Sequence, residues 1–380
     1  MTDTKVQVGR RTTEDVGSND PEKMRLNPTV SLVVIARNEV EHIGKCLEAA
    51  VQVAREFEGE VVFVDCDSKD GTLEIAKAFP VRVIKMSPET VLSAAAARRV
   101  GTLNSTGEFI IFIDGDCVLD PGWGQAAIRT LVGNPGMAGV TGRLDEVYLR
   151  QGVVIGEKAD PSGHTPDYPE ATLWVGGNAT YRRSALELVD GGFDPSIRSQ
   201  EEAELCFRLM KKGQRIFSIP EKMVTHYTEK RWTFQTVTGR FTRGLCIGYG
   251  QVLRSSLRHG FLLDFVRRES RTFLFSLACA AGIAACAVDY LRGRALLTPL
   301  WAALMSVPFI YMALKNRSAK WPALMYLTWF LNCVGMVQGV VKVLPHISEC
   351  NMEFSVLKSH AYPHKNPDVC QPVRDMPDVG

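Results

Sequence analysis

The stretch EFIIFIDGDCVLDPGW, Glu108–Trp123, decides how the rest of the chain is read. Its apolar run, Phe109 to Ile113, describes a strand buried on both faces, as in a parallel sheet. The run then delivers two carboxylates, Asp114 and Asp116, on either side of Gly115. If strand geometry persists, residues two apart point the same way, and the glycine leaves room for a ligand beside the backbone. Two acids so placed repel unless something positive lies between them. An Asp-x-Asp by itself usually marks a solvated turn. At the end of a buried strand it suits a hard divalent cation, Mg2+ or Mn2+, which prefers oxygen ligands and bridges carboxylates to phosphate oxygens.

Upstream, PTVSLVVIARNE (Pro28–Glu39), EVVFVD (Glu60–Asp65) and VRVIKM (Val81–Met86) give three more strand signals. Helical spacing separates them, in EHIGKCLEAAVQVAREF, in DGTLEIAKAF with Asp70 suited to cap it, and in the Ala-rich VLSAAAARRVGTLNS. Strands alternating with helices predict an α/β fold with a mostly parallel, doubly wound sheet. Ligands bind beyond the carboxyl ends of such strands. Arg37-Asn38-Glu39, Asp65-Cys66-Asp67 and Asp114-Gly115-Asp116 are therefore expected on one rim. There Asp65 suits a base edge or a ribose, and Asn38 and Glu39 either cap the next helix or line a nucleotide pocket. Past residue 120 the pattern is mixed. GMAGVTGRL reads as a strand, Glu157–Glu170 as a long loop, TLWVGGNATYRR as a strand and turn, and QEEAELCFRLMKKG as a helix.

The 380 residues carry a net charge of +2, which offers nothing to nucleic acid as a partner. Residues 1–27 are polar and read as a flexible tail. The ten cysteines form no CxxC pair. Three uncharged runs, Thr272–Val288, Ala295–Leu314 and Ala323–Val341, approach the length of a helix crossing a ~30 Å hydrocarbon core. Arg254, Arg258, Arg267, Arg268 and Arg271 precede the first, so that side should be cytoplasmic. The basic, aromatic residues 231–271 suit helices resting in the membrane interface. The expected division is a tail (1–27), a catalytic domain (28–230, its nucleotide half ending at 120), interfacial helices (231–271), about three spans (272–344) and a C-terminal tail (345–380). Three spans would put that last tail outside.

The motifs VIARNE, FVDCDSKDGT, FIDGD, WVGGNATYRRSALELVDGGFDPSI and QEEAELCFRLMKKGQRI stand in an order that resembles the inverting family 2 glycosyltransferases, over roughly residues 28–245. The resemblance implies a GT-A fold, a nucleotide-binding sheet merged with an acceptor half. It implies a UDP- or GDP-linked sugar donor, with Arg37, Asn38, Glu39 and Asp65 at the nucleoside and Asp67, Arg98, Arg99 and Gly115 also on the donor side. Asp114 and Asp116 would hold the metal, Mn2+ or Mg2+, and the diphosphate. His226 would complete the metal site, Gly177 and Asn178 would shape the acceptor side, and Glu202 would be the general base, with Glu201 as the alternative. The sequence departs from the family at Cys66, where a second acid often stands, at Arg98-Arg99-Val100-Gly101, and at Glu202, where Asp is usual. The expected enzyme sits in the cell (inner) membrane with its catalytic domain cytoplasmic, contacts membrane lipids and serves a lipid-linked or glycan acceptor. A polyprenyl-phosphate glycosyltransferase, a processive polysaccharide synthase and a non-catalytic assembly protein of the same fold stand as alternatives. The Gln-x-x-Arg-Trp signature of processive synthases is absent; TVTGRFTRG, with Arg240 and Arg243, occupies that region.

Overall fold

The computed structural model describes residues 28–342 and 352–360, apart from 164, 174 and 230–232. The expected tail at 1–27 lies outside the described residues. The first half alternates as the sequence leads one to expect: β1 (Val30–Ala36), α1 (Ile43–Glu56), β2 (Glu60–Asp65), α2 (Thr72–Ala78), β3 (Arg82–Met86), α3 (Ala94–Leu103) and β4 (Phe109–Asp114). The second half holds β5 (Cys117–Leu119), α4 (Trp123–Gly133), β6 (Met137–Arg150), β7 (Val153–Ala159), β8 (Glu170–Thr172), β9 (Ala179–Arg182), α5 (Arg183–Glu187), α6 (Glu201–Lys211) and β10 (Arg215–Glu229). The loop expected over 157–170 is shorter, because β7 runs to Ala159 as a hairpin partner of β6. The long strand β10 was not legible, since it meets β6 with register shifts around Lys222 that break any clean alternation.

β3, β2, β1 and β4 pair in parallel, and every residue of β1 and β2 is buried. One face packs on α1, α2 and α4 through Ile43, Leu47, Leu73, Trp123 and Ala127. The other packs on α3, α5 and α6 through Ala96, Val100, Leu186, Leu205 and Leu209. Cover on both faces is why these strands read as continuous apolar runs. β1 lies between β2 and β4, so the crossovers leave it in opposite directions and a crevice opens beyond its carboxyl end. β9, β6, β10 and β5 extend the sheet past β4, largely antiparallel.

Beyond β10 come α7 (Phe234–Thr242), a 3-10 turn (Leu245–Ile247), α8 (Gly248–His259), α9 (Leu262–Arg268), α10 (Ser270–Arg292), α11 (Leu297–Lys315), α12 (Lys320–Val341) and β11 (Phe354–Lys358). α10, α11 and α12 are long and apolar enough to cross a membrane. α10 and α11 form a hairpin: the Asp289 carboxylate accepts the backbone N–H groups of Leu296, Leu297 and Thr298, and Trp301 Nε1 donates to the Ala278 carbonyl. α11 buries no residue, so its apolar surface calls for lipid. α12 differs, because its second half lies on α8 and the 3-10 turn, with Gly335 against Cys246 and Gly339 against Ile247 and Gly250.

β11 pairs antiparallel with β3, at the edge of the sheet. A tail on the far side of three spans would not allow that pairing. Backbone hydrogen bonds cannot reach across a bilayer, so a chain that crossed three times would leave Phe354–Lys358 opposite β3. With β11 on β3, a membrane topology would need an even number of crossings, and the exposed α10–α11 hairpin is a pair long and apolar enough to make them. In sealed vesicles, an epitope after His360 and one in the exposed Gly133–Gly136 turn should be reached from the same face. Labelling from opposite faces would overturn the pairing.

Candidate active site

The carboxyl ends of β1 and β4 lie side by side, with Ile35 in register with Asp114. Above them opens a cleft of about 640 Å3 whose lining includes Arg37, Glu39, Asp114, Asp116, Glu201 and Glu202. The strands bring Asp114 and Asp116 to it, and α6 brings the two glutamates from the other side.

Asp114 and Asp116 do not share one positive partner. Arg98, on α3 and 2% exposed, donates from Nη2 to Asp114 Oδ1 at 2.7 Å and from Nη1 to Glu201 Oε1 at 2.8 Å. Glu202 Oε1 lies 3.7 Å from the same Nη1. Burial works against the charge on Arg98, but Asp114, Glu202 and Glu201 outweigh it and hold the guanidinium above its usual range. A Cβ at Gly177 would sit on both the Arg98 guanidinium and the Asp114 carboxylate. Glycine there keeps the bridge closed.

Asp116 has its own partners. The antiparallel register of β5 and β10 sets His226 opposite Cys117. His226 Nε2 then lies 3.0 Å from Asp116 Oδ2, and Tyr227 N donates to the Asp116 carbonyl at 2.9 Å. Burial raises Asp116, yet His226 outweighs it and holds the carboxyl below its usual range. Asp116, Cys117 and His226 offer ligand atoms within 4.8 Å of one another. Cys117 is an unsuitable ligand, because burial and the two aspartates push its thiol well up and its sulfur is spent on Asp116 Oδ1 and Asn178 Nδ2. The carboxylate and imidazole that remain fit a hard or borderline dication that takes its other ligands from phosphate oxygens. Asp114 is not in that cluster.

The other expected residues fall into separate groups. Asn38 spends its side chain on Lys69 N (2.8 Å), and its own N–H donates to Ser68 Oγ (2.9 Å), tying the β1 loop to the β2 loop. The Glu39 carbonyl accepts from His42 and Ile43, starting α1. The Glu39 side chain lines the cleft, its acid pushed up to about 8 by burial and then by Asp116 and Asp114. Asp65 is fully buried; Oδ2 accepts from Ser68 N at 3.0 Å while Oδ1 has no partner among the described residues. Asp67 is held by Lys69 at 2.6 Å and by Lys85, away from the cleft lining. Gly115 donates to the Ile35 carbonyl and touches Ala36. Asn178 is buried beneath the site, where its Oδ1 accepts from Asp114 N at 2.9 Å. Arg99 donates to the Asp190 carbonyl, also outside the lining. Burial and then Glu201 push the Glu202 acid up, with Arg98 opposing.

Sequence reasoning missed the arginines Arg198, Arg240, Arg243 and Arg268, which wall the cleft from α7, α9 and the loop before α6. Only their clustering in the basic segment hinted at it. It also missed Arg98 as a bridge, since nothing local marks a helix arginine as buried. Removing one partner of a buried charge network costs about 3–5 kcal/mol. Arg98→Met should therefore lower the thermal midpoint of the purified protein, and adding Glu201→Gln should restore part of the loss. Strict additivity in that double-mutant cycle would sever the bridge.

Residues 31–189 match the family model described as "Glycosyl transferase family 2". The glycosyltransferase AglE of Haloferax volcanii is 33% identical over 129 residues, which cover 33% of this chain and 42% of that one. The succinoglycan biosynthesis protein ExoA of Rhizobium meliloti is 28% identical over 213 residues, 53% of this chain and 64% of that one. The chain thus spans less than two thirds of either relative. Among solved structures, the mannosyltransferase PcManGT from Pyrobaculum calidifontis, in complex with GDP-Man and Mn2+, shares the fold with a TM-score of 0.54 at 18% identity, over 82% of this chain and 87% of that one. With the parallel sheet, its crevice and the acids at its rim, these matches make residues 31–189 similar to the family 2 glycosyltransferases, on a GT-A fold.

Proposed function

We propose that this chain transfers a sugar, with inversion, from a UDP- or GDP-linked donor to a lipid-linked or glycan acceptor at a membrane. The observation that carries the reading is the composition of one cleft. Its lining holds Asp116, which pairs with the His226 imidazole in a set fit for a dication, and Glu202, which the buried arginine reaches only at 3.7 Å. Glu201 gives its Oε1 to Arg98 at hydrogen-bond distance, so Glu202 is the better base. The family relation to ExoA, named for succinoglycan biosynthesis, is in keeping with an envelope glycan as product. The arginines ahead of α10 favour a cytoplasmic catalytic domain in the inner membrane.

In this reading Asp65 Oδ1 and Arg37 meet the nucleoside, and Asp114, fixed through one oxygen by Arg98, presents the other to the donor. A divalent cation held by Asp116 and His226 would offset the charge of the departing diphosphate. Glu202 accepts the proton of the acceptor hydroxyl as its oxygen attacks the anomeric carbon. The bond from that carbon to the diphosphate oxygen breaks on the opposite face, which inverts the centre.

Asp116→Asn and His226→Ala should each weaken Mn2+-dependent binding of UDP or GDP, measured by calorimetry in detergent; unchanged binding would remove them from the metal site. Glu202→Gln should leave nucleotide binding intact and lower transfer by ~10²–10⁴-fold, the worth of a general base. The folded-state acid of Glu202 is raised to about 8. Only the carboxylate accepts a proton, so transfer should rise with pH through that region and fall as pH drops below it. A flat profile, or full activity in Glu202→Gln, would point to an acceptor that needs no base.

A further inference from the structure

A second cavity, of about 760 Å3, meets the cleft and shares Asp116, Arg240 and Arg243 with it. Its walls come from α7 and the turn and helix that follow, through Thr236, Val237, Cys246 and Tyr249, and from α12, through Thr328, Leu331 and Asn332. One end is therefore the reaction site and the other is an apolar helix of membrane-spanning composition. Arg240 and Arg243 are exposed, and no carboxylate pairs with either guanidinium among the described residues. Asn332, 6% exposed, lines the cavity with its polar side chain. The cavity is also preformed: α12 closes on the turn and α8 through Gly335 and Gly339, where any Cβ would strike backbone atoms.

We propose that this second cavity holds the phosphate-bearing end of a membrane lipid acceptor. The anion sits on Arg240 and Arg243, Asn332 bonds its bridging oxygens, and the chain leaves along Val237 and Leu331 toward the bilayer. Two cations without acids suit an anion rather than a neutral glycan, and the apolar exit suits a lipid rather than free phosphate. The proposal rests on the glycosyltransferase reading and adds to it the class of acceptor and its place.

The test titrates the full chain in detergent with farnesyl phosphate, farnesol and inorganic phosphate, followed by tryptophan fluorescence, and in parallel with UDP or GDP plus Mn2+. Farnesyl phosphate should bind more tightly than either fragment. Arg240→Gln with Arg243→Gln should weaken it by about tenfold or more, the worth of charged hydrogen bonds. Leu331→Trp, which fills the cavity and leaves the charge alone, should weaken it too, and an unchanged thermal midpoint serves as the check that each variant is folded. The proposal falls if farnesyl phosphate binds no better than phosphate or farnesol, or if phosphatidylglycerol displaces it at equal concentration. It falls equally if the arginine variant loses nucleotide while keeping farnesyl phosphate, which would give the arginines to the donor. Farnesyl phosphate bound by a chain that binds no nucleotide would support this cavity and sink the glycosyltransferase reading, so the two failures are separable.

Discussion

The site depends on a buried guanidinium. Arg98 leaves α3 on one side of the crevice, takes a carboxylate oxygen of Asp114 at the end of β4, and takes another from Glu201 at the start of α6. An ion this deeply buried is tolerated only beside charged acceptors, which here take Nη1 and Nη2 and leave Nε without a partner among the described residues. The bridge therefore sets the distance between the nucleotide half and the acceptor half. It also sorts the acids. Glu201 is consumed, Glu202 remains at the cleft surface, and Asp114 is left with one oxygen to offer. Gly177 belongs to the same device, since any side chain there would occupy the bridge.

A second constraint acts at the other end of the chain. β11 closes the exposed edge of β3, and Ser87 N donates to the Glu353 carbonyl beside it. An open parallel edge is a template for unwanted pairing, so the return covers a liability. It also ties the segment after α12 to the catalytic domain and makes α12 part of the site wall. The α10–α11 hairpin is left to meet lipid, with α11 burying nothing against the protein.

How much was legible varies with the range of the interaction. β1, β2 and β4 were plain because burial on both faces leaves an uninterrupted apolar run, and the polar residues that end them fell on one rim. α6 was plain from its 3.6-residue spacing. β10 was not, because its pairing with β6 slips and its meaning lies in which residue faces Cys117. Asp114 and Asp116, expected to share a cation, each carry a protein partner as well. Their side chains go to different partners, Arg98 and His226, from elements 16 and 110 residues away in sequence.

The amino-acid sequence alone determined the alternating sheet, the position of its acidic rim, and the three apolar helices. These follow from local periodicity and from runs of one chemical character, which any short window carries. The tertiary structure decided which glutamate Arg98 holds at hydrogen-bond distance, where His226 lies, and which strand β11 joins. Those depend on registers and helix contacts between distant segments, where a shift of one residue reverses a side chain while leaving the local pattern unchanged.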